Sequence, residues 1–397
     1  MGMDLATNAG PIGSGSSGSE SPARELARRI GLDIRRVEHV DSAGKIRGRD
    51  NTLYVATDDI GKIDVGRVHD TAIVGQDGAD VSLTIDRRDR SWDVLAEGSN
   101  FVFANIDLDQ RKPGAWGRVH AHGDGMWVRN LQTIGKARPA NPDPSRPIQV
   151  TSGPTWSLVA PSPNAVNGLV NVTDKHGGVL ADRHFGDRPI GMWYGASHKG
   201  TVRIVNTELS EYPNNGLYAT AAPGSIEAID SRFWDNGVTA GRFSHGAWKR
   251  CDIGYDYENS GLGNADAENH GTVGIGVEQK KDGVTGESGP DIIDCTVRMK
   301  NVAKGGAGIR AYDIYKPAKI GDILRTDIHI ERGCGDYAAD MEIAGKVGEI
   351  KACELSGSNR QFASVHNTSG RTVTLDNTEW SYGGGRNRSK AGRVRWP

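Results

Sequence analysis

The sequence predicts an all-β chain wound into a parallel solenoid, and three observations carry that expectation. The first is composition. Its 54 glycines and 16 prolines make up about 18% of the 397 residues, against a usual share of about 12%, so turns are frequent and long helices few. The second is a run of short alternating apolar segments, such as TLYVATDD, HDTAIVG, VSLTID and FVFANIDLD, broken by Gly, Asn and Asp. The third is a coarse period. Segments of the form apolar-x-apolar-x-small begin at Val202, Ile226, Ala247, Asp291, Gly321, Gly348 and Thr372, spaced by 24, 21, 44, 30, 27 and 24 residues, the 44 being read as two turns. A second set begins at Gly216, Ala240, Gly274, Gly308, Ala339 and Ala363, spaced by 24, 34, 34, 31 and 24. Two interleaved sets sharing one period imply a coil that passes the same side on every turn, each strand bonding its equivalents about 4.8 Å above and below. Two stacked β-sandwiches would instead need hairpin turns of about two to five residues, and few appear.

The elements follow in chain order. Residues 1–20 are rich in Gly and Ser and read as a flexible leader. Ser21-Pro22 supplies an N-cap and N1 proline before ARELARRIGL, whose Leu26, Ile30 and Leu32 share one helical face, so a short capping helix is expected within 21–35. A solenoid end exposes unpaired backbone and core, and this helix is suited to cover it. Strands repeat from 36 to 382, with excursions at 137–163, which holds seven prolines, and at 256–271. Residues 383–397 form a basic tail with no apolar period.

Charge and cysteine usage exclude several partners. The 48 basic and 50 acidic residues leave a net charge of -2, without the broad positive field that a general nucleic-acid binder uses. The chain has no apolar run long enough for a membrane span and no visible secretion signal. Cys251, Cys295 and Cys353 sit inside alternating apolar segments without a C-x-x-C pair, which favours small buried thiols over disulfide or metal roles.

With its strand period and interior-type residues Asn206, Cys251, Cys295, Cys353 and Asn377 near strand ends, the chain resembles the right-handed, single-stranded parallel β-helix superfamily of pectate-lyase-like and tailspike-like proteins. The resemblance covers about residues 36 to 382 and implies the fold. Members are often polysaccharide lyases or hydrolases, or trimeric virion spikes that grip or cleave surface glycans. No lyase pattern of clustered Ca²⁺-binding Asp with a basic Arg or Lys can be placed on this sequence, and the fold alone names no activity.

No H-E-x-x-H, G-x-S-x-G, P-loop or G-x-G-x-x-G occurs, so zincin, α/β-hydrolase and nucleotide chemistries lose their usual support. With the second strand set in register, alternation sends one column outward as Tyr218, Arg242, Gly276, Arg310, Asp340 and Ser364, and a parallel one as Thr220, Ser244, Glu278, Tyr312, Glu342 and His366. Trp127 and Trp193 are expected to extend the first column. Such a face suits carbohydrate: rings cover a sugar's apolar side while carboxylates and guanidinium groups bond its hydroxyls. Tyr218, Arg242, Arg310, Tyr312, His366 and the two tryptophans are the candidate binding residues. Asp340 with Glu342, or Glu278 with Glu342, are the candidate acid and base. The competing reading is a structural ladder of opposite charges on adjacent turns, Arg310 with Asp340 for example.

No cofactor is expected. His120, His122 and Asp124 have workable metal-ligand spacing on one strand face, although a surface turn explains them more simply. The acidic excursion with Asp256, Glu258, Asp266 and Glu268 makes Ca²⁺ conceivable without an ordered loop to specify it. The first functional expectation is a spike or fibre component on a virion surface or outside the cell, from a prokaryotic or archaeal virus. It would be a homotrimer that engages host surface carbohydrate and joins other virion proteins through its termini. A polysaccharide lyase or glycoside hydrolase on the same scaffold, or a purely structural decoration, are the alternatives.

Overall fold

A computed structural model of the chain describes residues 28, 31–41, 45–76, 79–83, 92–111, 117–136, 154–177, 189–256, 272–280, 289–300, 306–331, 339–357, 365–382 and 393–395. Its strand pairs are parallel throughout. The chain is a parallel β-helix. One turn runs through Thr201–Val205, Glu208–Ser210 and Leu217–Ala219, and the next through Ser225–Ile229, Arg232–Trp234 and Thr239–Phe243. Each strand pairs with its equivalent one turn on, so three parallel sheets run along the coil.

The two strand sets legible in the sequence are therefore three. What reads as one segment, VRIVNTEL, is two strands hinged at Asn206, whose φ of 47° lies in the left-handed region. Equivalent corners stand at Asn105, Asn130, Asn171, Asp230, Arg250, Asp294, Arg325, Ala352 and Asn377, all with positive φ. Asn and Asp tolerate this conformation because their side chains bond locally. The corner side chains also bond along the stack. Asn130, Asn171 and Asn206 each donate to the asparagine one turn earlier at 3.1, 2.8 and 2.9 Å. Further on, Arg250 clasps Asp230 and Arg325 clasps Asp294.

The 44-residue spacing from Ala247 to Asp291 is one turn, not two, because these residues pair directly. The turn is long since residues 257–271 and 281–288 fall inside it, outside the described residues along with most of the 256–271 excursion. Of the 137–163 excursion, Pro154–Val159 is a strand of the coil. The proposed capping helix lies outside the described residues except Arg28, and residues 32–35 lead into the first strand without helix. Within the basic tail, Arg393–Arg395 adds a parallel strand to Thr372–Asp376.

Alternation fills the interior. Ile204, Ala228, Trp248, Ile292, Ile323 and Ile350 stack in the first sheet, and Leu209, Phe233, Ile253, Val297, Ile328 and Leu355 in the second, each essentially inaccessible. Apolar burial at about 25 cal/mol per Å² is the main stabilising term for such a core. At Gly241 the missing side chain admits the Trp248 indole, which a Cβ there would meet at 2.6 Å.

One interior region carries ionisable side chains. Asp174 stacks on Leu209 and accepts hydrogen bonds from Thr133 (2.8 Å), the Trp156 indole (2.6 Å) and the Tyr212 hydroxyl. The buried His176 ring lies 4.8 Å from that of Tyr212. Burial lowers its pKa from 6.5 to about 4. The unfolded chain therefore takes up the proton first, and the stability held above pH 6.5 drains as pH falls towards 4, by about 3 kcal/mol. Burial raises the pKa of Asp174, so its protonation acts in the opposite direction. Urea unfolding from neutral pH to about pH 4 should show a shallower loss in His176→Phe than in the parent; equal slopes would contradict the assignment.

Candidate functional site

The third sheet presents one continuous outward column. In register it runs Leu95, His120, Ser157, Trp193, Tyr218, Arg242, Gly276, Arg310, Glu342 and His366. Successive members are about 4.8 Å apart at the backbone. The flanking inward positions are apolar, for example Leu217, Ile275, Ile309, Met341 and Val365, all with no measurable exposure. Alternation therefore fixes the column's outward direction.

Two expected placements are corrected. Asp340 does not share a column with Arg310. The pairing of Ile309 with Met341 sets Arg310 opposite Glu342, so the expected columns slip by two residues over the last turns. A two-residue slip preserves alternation, which is why the pattern alone does not reveal it. Asp340 instead lies on a column with Gly308, is fully buried, and neither carboxylate oxygen has a hydrogen-bond partner. Burial pushes its carboxyl well above the usual carboxylate range. Ser364 lies outside the described residues.

Trp127 is likewise absent from this column. It belongs to the first sheet, opposite Val102 and Gly168. There it packs on a separate outer apolar cluster of Leu53, Val55, Ala72, Val74, Val102 and Ala104. Its indole fills the space over Gly168, where a Cβ would come within 2.2 Å.

At the centre of the column the charged groups are paired. Arg242 contacts Glu278, whose side chain is 2% exposed. The same guanidinium lies 4.0 Å from the Tyr312 ring centroid and 5.7 Å from that of Tyr218. Gly276 makes this possible, because its missing side chain leaves Arg242 and Tyr312 room to close over it. Arg310 grips Glu342 through two bonds of 2.5 and 3.0 Å. Burial opposes the charge on Arg310, but the Glu342 carboxylate holds its pKa above the usual value. Glu278 sits two residues along its strand and two turns away from Glu342, about 12 Å between backbone positions. Each of the two carboxylates is paired with an arginine of the same face.

Towards its other end the column carries two exposed apolar side chains, Leu95 and Trp193, with His120 and Ser157 between them. Trp193 is 42% exposed and lies across Gly195, where a Cβ would meet the ring at 2.7 Å. Tyr218 is on the next turn. Three neighbours were not read from the sequence. Leu95 is 44% exposed at the head of the column, and alternation could have found it. The Lys280 ammonium stands 5.7 Å from both the Tyr218 and Tyr315 rings. Tyr315, 49% exposed, comes from a non-repeating segment and gives no periodic signal. Thr220 and Ser244 are buried beside the column, the latter bonded to backbone carbonyls.

His120, His122 and Asp124 do share one strand face. Among the described residues, however, no group of three or more His, Cys, Asp or Glu side chains converges as a metal site requires. Of the acidic excursion only Asp256 is described, and it bonds to Lys300 at 3.5 Å.

No family model and no curated protein matches the chain. Among solved structures, the A-module of a mannuronan C-5 epimerase from Azotobacter vinelandii aligns over 94% of this chain and 93% of its own, with 12% identity and a TM-score of 0.31. A periplasmic alginate epimerase aligns over 90% and 83%, with 8% identity and a TM-score of 0.30. A tailspike from the Acinetobacter baumannii bacteriophage Fri1, a capsular polysaccharide depolymerase, aligns over 93% and 62%, with 12% identity and a TM-score of 0.31. The fold rests on the strand pairing itself. No helix among the described residues is long and apolar enough to cross a membrane.

Removing one partner of a buried ion pair strands the other. Arg242→Ala should lower stability by about 3–5 kcal/mol, and adding Glu278→Gln should restore most of it. Denaturant unfolding of the single and double variants checks this; an unchanged midpoint for Arg242→Ala would show that the pair carries nothing.

Proposed function

We propose that this protein binds an extended surface glycan along the outward column of the third sheet and does not cleave it. The observation that carries the reading is the exposed Trp193, 42% accessible and set against Gly195, with Tyr218 on the next turn and a row of charged side chains beyond. Such a gradient matches the two faces of a sugar: C–H faces stack on rings, and hydroxyls bond to guanidinium and carboxylate groups. Glu342, Arg310 and His366 then serve as hydrogen-bonding groups, Trp193, Tyr218 and Tyr312 as rings, and Arg242 with Glu278 as the buried brace that fixes Tyr312. The parallel scaffold supports the reading too, because it holds these groups at constant spacing without a mobile loop.

The setting that goes with this reading is a spike or fibre on a virion surface, assembled as a homotrimer. A lyase or hydrolase is the weaker alternative, since Asp340 is buried and Glu278 and Glu342 are each engaged by an arginine.

Purified protein applied to immobilised capsular and surface polysaccharides should retain at least one of them and release no new reducing ends. Trp193→Ala should weaken that retention about tenfold, the scale of one aromatic contact, and light scattering should give three times the 42.5 kDa chain mass. Retention indifferent to Trp193→Ala would overturn the site, product release would overturn the binding-only reading, and a strict monomer would remove the trimer.

A further inference from the structure

We propose that Cys251 and Cys295 form a covalent staple site, an adjacent pair of thiols on consecutive turns that a peroxide converts to one intramolecular disulfide. The argument starts at the corners. From Asn206 onward the residue after each left-handed corner is small and points inward, and the column reads Thr207, Ser231, Cys251, Cys295, Thr326, Cys353 and Thr378. Each hydroxyl or thiol donates to the carbonyl two residues earlier, across the bend, at 2.8 to 3.5 Å. Bracing the corner therefore requires only a small donor, and Ser or Thr serves as well as Cys. Nothing in that bracing role accounts for two cysteines being next to one another.

The register makes them neighbours. Asp252 pairs with Thr296, so Cys251 and Cys295 lie directly over one another one turn apart. The backbone separation of about 4.8 Å between paired strands falls inside the range of about 4.4 to 6.8 Å that a disulfide spans. Both sulfurs lie on the inner side of the bend, each bonded to the carbonyl two residues earlier, at 3.5 and 3.4 Å. Cys353 is excluded because Thr326 stands between it and Cys295, about 9.6 Å away along the stack. The fold thus supplies both a pair and an internal control.

One sulfur of the pair attacks the peroxide O–O bond, giving a sulfenic acid and water. The other sulfur then displaces that hydroxyl as a second water, its proton leaving with it. Two thiols and one hydrogen peroxide give one disulfide and two waters. Both cysteines are 2% exposed, so a molecule as small as peroxide is the oxidant suited to reach them. The staple would close the turn that contains the long 44-residue connection, the one turn in this half of the coil with most chain between its strands.

Treating the folded full-length chain with hydrogen peroxide, alkylating free thiols after denaturation, and mapping peptides by mass spectrometry tests the site. The expected product joins the Cys251 and Cys295 peptides, two hydrogens lighter than the reduced pair, with Cys353 alkylated. Cys251→Ser and Cys295→Ser should each abolish it, and because Ser231 already occupies this column both variants should fold. The product should be at least tenfold more abundant than any link to Cys353. Alkylation of both cysteines after peroxide, separate sulfinic acids on each, or a bridge to another cysteine would overturn the proposal.

Discussion

The constraint on which the structure depends is that each turn of chain finds its backbone hydrogen-bond partners only in the turns directly above and below. A buried amide or carbonyl left unpaired costs about 1–3 kcal/mol, so one turn cannot shift against the next without breaking a row of bonds. In-register stacking is the result, and it carries every column described: isoleucines over isoleucines inside, asparagines over asparagines at the corners, Arg310 beside Glu342 outside. The candidate glycan surface is a by-product of the same stacking. Residues as distant in sequence as Leu95 and His366 share a line because their backbones do.

The corners decide the shape. Ten stacked positions adopt left-handed backbone, and the side chains there pass from an asparagine ladder to alternating aspartate and arginine. Both solutions bond corners along the stack, Asn130, Asn171 and Asn206 to the asparagine one turn earlier and Arg250 and Arg325 to the aspartate one turn earlier. Arginine has no intrinsic preference for this backbone, so the bidentate grip on the aspartate of the preceding turn offsets the strain at Arg250 and Arg325. Small donors on the next column brace the bend from inside, which is why buried thiols appear where hydroxyls also occur.

Much of this was legible in the sequence, and the failures have physical causes. Period and alternation gave the coil and its inward residues, because apolar burial imposes both. The second sheet went unseen as a separate one, since its strands follow those of the first directly across the corner, leaving no gap in the apolar pattern at Asn206. The columns slipped at Ala339–Ile343 because displacement by two residues leaves alternation unchanged; only the stacking of Met341 on Ile309 settles it. Trp127 and Trp193 sit in the similar contexts GMWVR and GMWYG, yet belong to different sheets, the former inside a long strand that crosses a corner. Ion pairing between turns was foreseen in kind, but the partner of Arg310 was not.

The central claim is a single axis with in-register turns, and distances between far-apart residues test it most directly. His39, Lys249 and Asp376 lie on one outward column of the first sheet, with eight strand steps between the first two and four between the last two. Spin labels at pairs of these positions, read by pulsed electron resonance, should give separations of about 38 Å and about 19 Å, with the outer pair at about 58 Å. The longest distance should therefore equal the two shorter ones taken end to end. An outer distance well short of that, or a broad spread at the inner pairs, would contradict a straight stack of turns and remove the columns with it.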